Sequence, residues 1–299
     1  MMEAPKDLAV VVAYFNHHNF DAPLRNLRRF CRFMRQTGVA LYGMELRSPG
    51  RGTEVSDLYG TWTTTQGNNR TMVWQKEGMW NYLASRLPKQ FTKVMGCDTD
   101  LWFDNPDFLH DTSAALDTHK VVMPWSKAIW TDQRGFQMRE RVDAITAHKA
   151  SGKYWEGHQG FSIAFQRELW DKNLNLYPWG VLGAGDTFMM SALTNSVQSD
   201  DFLTRALGGA EMRKVFDAWA VKIRDWAGDS MMSVPGTIYH EYHGSRENRQ
   251  LVTRHDRLAG MLPTELNVRA DGLISWTDNA LLRRMYEVYQ YFYERKDDE

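Results

Sequence analysis

The chain has 299 residues, 43% hydrophobic and 24% charged, enough to bury a sizeable core without disulfide or metal staples. Its 36 basic and 37 acidic side chains leave a net charge of −1, which excludes a globally basic nucleic-acid wrapper while leaving local patches open. Two cysteines, Cys31 and Cys97, exclude a disulfide framework, and the apolar run at 8–15 is too short to span a bilayer. A soluble, cytoplasmic protein without a membrane partner is expected. The 12 Trp, 12 Tyr and 14 Phe suit sugar or base stacking as well as core filling.

Leu8–Phe15 (LAVVVAYF) reads as a strand buried on both faces. A polar turn at 16–23 leads to a helix over 24–36, with Leu24, Leu27, Phe30, Cys31 and Met34 on one face and Gly38 at its end. A second strand is expected over 39–46 and a second helix over 71–87, stopped by Pro88. Short strands follow at 91–95 and 121–125. This alternation predicts βαβ units and an α/β fold with a mostly parallel central sheet flanked by helices. Ligands in such sheets bind beyond the carboxyl ends of the strands, which points to 16–21, 46–53 and 96–104. Further on, 162–165 reads as a strand, 186–194 as a helix, 201–226 as largely helical and 237–243 as a strand. The segment 279–295 reads as a packing helix with a charged tail. The expected organisation is one domain over 1–299: a Rossmann-like nucleotide-binding half (1–125), a mixed acceptor half (126–260) and a C-terminal helix and tail (261–299).

Four segments carry chemistry. Asp98 and Asp100 form a D-x-D pair just past the FTKVM strand, and paired carboxylates suit a hard divalent cation, Mn²⁺ or Mg²⁺, with diphosphate oxygens completing its shell. The run Tyr239-His240-Glu241-Tyr242-His243-Gly244-Ser245-Arg246-Glu247-Asn248-Arg249 offers an imidazole ligand, followed by arginines that grip a diphosphate; Arg254, His255 and Arg257 follow. Gly183-Ala184-Gly185-Asp186 presents a carboxylate at a helix start, either as a reactive group or as an N-cap. Tyr154-Trp155-Glu156-Gly157-His158-Gln159-Gly160 is an aromatic, glycine-rich loop.

Taken together with Trp74-Gln75-Lys76-Glu77, Asn81, Leu87-Pro88, Val94 and Asn105-Pro106, these segments resemble nucleotide-sugar glycosyltransferases of the GT-A fold, including phage and bacterial ones. The resemblance covers residues 8–257. It implies that Asp98, Asp100 and His243 hold the metal, and that Arg249, six positions after His243, contacts the diphosphate where the glycogenin-like group has Lys. In an inverting enzyme it implies Asp186 as the general base. Tyr14, Asn16, Arg70, Lys76, Arg246 and Arg249 are then expected on the donor, a UDP-sugar foremost. Trp155, His158, Gln159 and Trp179 are expected on the acceptor. Acceptors in view are a hydroxylated pyrimidine base in DNA, for which Arg25, Arg28, Arg29, Arg32 and Arg35 on one helix offer phosphate contacts, and a glycan or lipid-linked saccharide. Two rivals are weaker. A sugar-nucleotide pyrophosphorylase needs a G-x-G-T loop where this chain has Phe15-Asn16-His17-His18. A non-catalytic carbohydrate-binding protein leaves Asp98, Asp100 and His243 without a purpose.

Overall fold

In the computed structural model, which describes residues 3–251 and 253–296, the chain begins with β1 (Leu8–Phe15), α1 (Asp21–Thr37), β2 (Ala40–Arg47) and β3 (Thr61–Gln66). Then come α2 (Lys76–Arg86), β4 (Lys93–Cys97), β5 (Leu101–Phe103), α3 (Phe108–Leu116), β6 (Val121–Met123), β7 (Lys127–Thr131), β8 (Gln137–Val142) and α4 (Ala144–Ser151). The remainder is β9 (Ser162–Gln166), α5 (Glu168–Asp171), α6 (Gly185–Thr194), α7 (Asp200–Leu207), α8 (Ala210–Ala227), β10 (Met231–Ser233), β11 (Thr237–His240), β12 (Leu266–Val268), β13 (Ile274–Trp276) and α9 (Leu282–Glu294).

The main sheet has seven strands in the order β10-β6-β9-β4-β1-β2-β3. Only β9 runs against its neighbours; the other pairings are parallel. The mixed α/β architecture expected from the alternation is therefore the one found. β1 keeps the predicted limits because its apolar residues face cover on both sides: Leu8 to Val12 are almost wholly buried. α1 buries Leu27, Phe30, Cys31 and Met34 and stops at Gly38, whose φ of 72° is the left-handed conformation that glycine adopts without a Cβ penalty. Two glycines let tryptophans pack flat on strands. A Cβ on Gly43 would sit 2.4 Å from the Trp62 ring, and one on Gly96 the same distance from Trp80.

Several boundaries differ from expectation. The helix expected over 71–87 is a 3₁₀ turn (Asn69–Thr71) followed by α2, and the stretch 201–226 is two helices. Gly208 and Gly209, at φ 97° and 134°, break the second. The strand expected over 237–243 stops at His240, and the tail beyond 296 lies outside the described residues. A second sheet, β5-β11-β7-β8, had no counterpart in the sequence reading beyond β11. No helix among the described residues is long and apolar enough to cross a membrane.

The order of the main sheet sets the position of the site. From β1 the chain steps outward through β2 and β3 on one side, whereas β4 lies on the other, so the connections diverge between β1 and β4. Their carboxyl ends bracket a crevice, the usual ligand position in such sheets.

Candidate active site

A cavity of about 590 Å³ opens at that crevice. It is lined by the end of β1 (Ala13 to Asn16), by Asp98 to Asp100 after β4, by the start of α6, and by the segment after β11. All the sequence-predicted site residues line it except Arg70 and Trp179. Arg70 sits in the exposed 3₁₀ turn and pairs with Asp278, so its guanidinium is committed elsewhere. Trp179 packs half-buried against the hydrophobic core.

Among the described residues, the group of potential metal ligands is Asp100, His240 and His243, whose donor atoms lie within 4.8 Å of one another. Asp100 Oδ2 is 2.8 Å from His243 Nε2 and 3.4 Å from His240 Nε2. Burial opposes ionisation of Asp100, but the two imidazoles outweigh it and hold its carboxyl well below the ordinary value. Burial pushes His240 down, toward the neutral form that binds metals. Asp100 Oδ1 is buried without a hydrogen-bond partner among the described residues, so the carboxylate keeps an open acceptor for a cation. One carboxylate with two imidazoles is a donor set that suits a transition ion such as Mn²⁺ better than Mg²⁺, which prefers oxygen throughout.

Asp98 stands outside this group. Its carboxylate pairs with Lys76 Nζ at 3.0 Å, and burial raises its pKa against the pull of that ammonium. His240 joins His243 as a ligand candidate, and its only sequence signal is the His240-x-x-His243 spacing. It sits at the end of β11, in register with Leu101 of β5 on one side and Trp130 of β7 on the other. Phe161 stacks on the His240 ring at 4.7 Å while its carbonyl accepts from the Asp98 N–H at 2.8 Å. It does so at φ 76°, a conformation that costs a non-glycine residue about 1–3 kcal/mol.

Among the described residues six arginines line the same cavity, four of them from β8 and the loop after β11. Arg139 and Arg141 come from β8, where side chains alternate between the cavity and solvent; Met138, Glu140 and Val142 are exposed. The polar run of β8 hides this strand from hydrophobic periodicity, and arginine at alternate positions, 139 and 141, is its only trace. Arg246 and Arg249 come from the loop after β11, and Arg249 Nη2 lies 2.8 Å from His243 Nδ1. Arg139 is drawn down by burial and by the positive charges of Arg246 and Arg141, which marks a basic wall. Arg257 is not part of it, because Glu294 pairs with it at 2.6 Å.

Lys76 and Glu77 open α2, and Gly185 and Asp186 open α6. A Cβ on Gly185 would lie 2.1 Å from Glu77 Oε1, and a Cβ on Gly160 would lie 2.4 Å from Asp186 Oδ2. These glycines therefore let two carboxylates approach the backbone. Asp186 is not the N-cap; Ala184 takes that position at φ 72°, and Asp186 Oδ1 accepts from the Thr187 N–H at 2.8 Å inside the first turn. Burial opposes the charge of Lys76, but Asp98, Glu77 and Asp186 outweigh it and raise its pKa. Glu77 is pushed up to about 7, chiefly by burial, with Lys76 offsetting part of the cost.

Other predicted residues brace the cavity wall. The Tyr14 hydroxyl donates to Glu54 at 2.8 Å, and the Asn16 side chain closes its own turn through Phe20. Gln159 donates to Gly157 O at 2.8 Å. Trp155 packs edge-on against Tyr154, and His158 sits among Trp125, Trp130 and Phe161 with Nε2 buried and unpartnered. Glu45 is buried and holds the following loop through Thr53 and the Glu54 N–H.

The sequence matches no protein-family model and no curated protein. Among solved structures, similarity is found to a mannosyltransferase from Pyrobaculum calidifontis in complex with GDP-Man and Mn²⁺. It has 13% identity and a TM-score of 0.46, covering 84% of this chain and 61% of that one. A glucosyl-3-phosphoglycerate synthase from Mycobacterium tuberculosis is similar at 14% identity and a TM-score of 0.41, covering 85% and 77%. The catalytic domain of a Drosophila β1,4-galactosyltransferase 7 is similar at 12% identity and a TM-score of 0.36; the chain spans 60% of its length and is itself covered over 63%.

Proposed function

We propose that this protein is a metal-dependent glycosyltransferase that moves a sugar from a nucleotide-sugar donor to an acceptor hydroxyl. The observation that carries this reading is the cluster of Asp100, His240 and His243 facing Arg139, Arg141, Arg246 and Arg249 at the carboxyl ends of β1 and β4. A cation site beside a basic wall is built for a diphosphate. A divalent cation held by Asp100, His240 and His243 would neutralise charge on the departing diphosphate. Lys76, tied to Asp98, adds a fixed positive charge on the same side. Asp186, on the wall of the same cavity, takes the proton of the acceptor hydroxyl as general base. His158 and Trp155 lie on the wall of the same cavity and offer a ring nitrogen and an aromatic edge to the acceptor.

A hydroxylated base in DNA is the acceptor favoured by one feature: Arg25, Arg28, Arg29, Arg32 and Arg35 are all exposed on α1. Arg29 also reaches Glu241 at 3.2 Å, beside the metal cluster. Hydrolysis of a panel of sugar nucleotides with Mn²⁺, with and without hydroxymethylated DNA, tests both statements. Mn²⁺-dependent release of nucleoside diphosphate is expected, and its absence across UDP-, GDP- and dTDP-sugars rejects the transferase. Failure of DNA alone to accept sugar leaves the transferase and removes the DNA acceptor.

A further inference from the structure

A second set of cationic groups lines the cavity and has no part in the mechanism above. Arg254 follows the loop that carries Arg249, and Arg295 ends α9. Both approach one indole. The Arg295 guanidinium lies over the Trp74 ring at 5.3 Å. A Cβ on Gly183 would lie 3.5 Å from Arg254 Nη2 and 3.6 Å from the Trp74 ring, so the two side chains converge where Gly183, at φ 90°, leaves the space open.

Among the described residues, no carboxylate pairs with Arg254; it donates to the Tyr291 hydroxyl at 3.1 Å and to His255 Nε2 at 3.2 Å. Two neighbouring imidazoles are neutral. Burial, with Arg254 and Arg205 nearby, takes His255 down to about 3. Burial takes His17 down to about 4, and His18 and Arg295 press it further in that direction. Trp74 Nε1–H is buried without an acceptor among the described residues. Apolar walls from Phe15, at 5.1 Å from the Trp74 ring, and from Phe292, at 4.8 Å from the His17 ring, limit screening by water. A half-buried guanidinium with no carboxylate partner among the described residues, beside an indole N–H without an acceptor there, favours an anion that completes both.

We infer that Arg254, Arg295 and Trp74 form an anion subsite that binds a tetrahedral oxyanion, a phosphate carried by the acceptor. The oxyanion part stands on these residues alone; its assignment to the acceptor rests on the transferase reading. Tyr291 links the subsite to the donor side, because its hydroxyl accepts from Arg254 and donates to Arg249 O at 3.2 Å. Asp186 follows Gly183 by three residues and lines the same cavity, so a bound phosphate would hold the neighbouring hydroxyl toward the base. The phosphate has two sources, a phosphorylated small acceptor or a phosphodiester of a nucleic acid.

Inorganic sulfate is the probe, titrated into the full chain in EDTA and followed by thermal shift. The wild type is expected to gain melting temperature with sulfate. Arg254→Gln should weaken the apparent affinity at least tenfold, Trp74→Phe several-fold, and Arg254→Lys should restore part of the loss. Equal sulfate affinity in Arg254→Gln and the wild type overturns the subsite, as does displacement of the sulfate by a nucleoside diphosphate without metal. In the transfer assay, Arg254→Gln should raise acceptor KM at least tenfold with a smaller effect on kcat. A preference for phosphorylated sugars over their neutral forms identifies the small acceptor, and a preference for oligonucleotides identifies the nucleic acid. Equal use of phosphorylated and neutral acceptors by the wild type overturns the acceptor assignment. A wild type that binds sulfate through Arg254 yet turns over no sugar nucleotide upholds the subsite and rejects the transferase reading alone.

Discussion

The strands β1, β2 and β4 and the strands β5, β11, β7 and β8 solve opposite problems. The first three are apolar and deeply buried, and Gly43 and Gly96 are there because tryptophan rings lie against them. The second four are short, and their inward positions hold Arg139, Arg141, Trp130 and His240. One sheet is built for stability and the other for chemistry. The lesson is that substitutions should separate the two: damage to the first should lower the melting temperature, and damage to the second should lower the rate.

The largest effect is expected at Asp100. Asp100→Ala should cut sugar-nucleotide turnover about 10³-fold or more, the equivalent of roughly 4 kcal/mol of charge stabilisation. The melting temperature should fall only slightly, because the change loses the pairing with His240 and His243 at the cavity wall and leaves the apolar sheet intact. Loss of folding in this variant, seen by circular dichroism, would break the contrast. Asp186→Asn should lower transfer roughly 10²-fold or more while donor binding persists. Transfer within a few-fold of wild type would remove the base and favour a retaining mechanism.

On the other side, Gly96→Ala should destabilise by about 1–3 kcal/mol, since its Cβ would meet the buried Trp80 ring. Urea melts should show this without a change in KM, and a neutral result would mean that Trp80 repacks freely. The smallest effect sharpens the comparison at the seam. Glu77 rises from an ordinary value of 4.5 to about 7. Below that window both folded and unfolded chains are protonated. Through it, the unfolded chain releases a proton that the fold retains, so this residue's contribution falls as pH rises and levels off above about 7. Glu77→Gln should therefore change little at pH 4.5 and stabilise by about 1–2 kcal/mol at pH 8. Equal shifts at both pH values, read from paired thermal melts, would contradict the assignment.

The same contrast explains what the sequence made legible. β1, α1 and β4 announce themselves because burial on both faces, or on one helical stripe, demands uninterrupted apolar periodicity, and Asp98-Thr99-Asp100 was found because it follows such a strand. β3, with the run TWTTTQ, and β8, with QMRERV, offer no such period. Their polar faces reflect an edge position or a cavity, which only tertiary pairing reveals. His240 and His243 were both visible, yet only the three-dimensional meeting of β11 with β5 and β7 shows that His240 reaches Asp100 while Asp98 turns to Lys76. Arg70 misled for the converse reason: a basic residue near a motif was paired with Asp278, more than 200 positions away in the chain.

The central claim is that Asp100, His240 and His243 hold the cation. Electron paramagnetic resonance of free Mn²⁺ during titration into the wild type, Asp98→Asn, Asp100→Ala and His240→Ala measures it directly. The account predicts one Mn²⁺ bound per chain, with affinity lowered at least tenfold in Asp100→Ala and in His240→Ala and changed far less in Asp98→Asn. Wild-type affinity in Asp100→Ala and His240→Ala, with the loss found in Asp98→Asn instead, would contradict it.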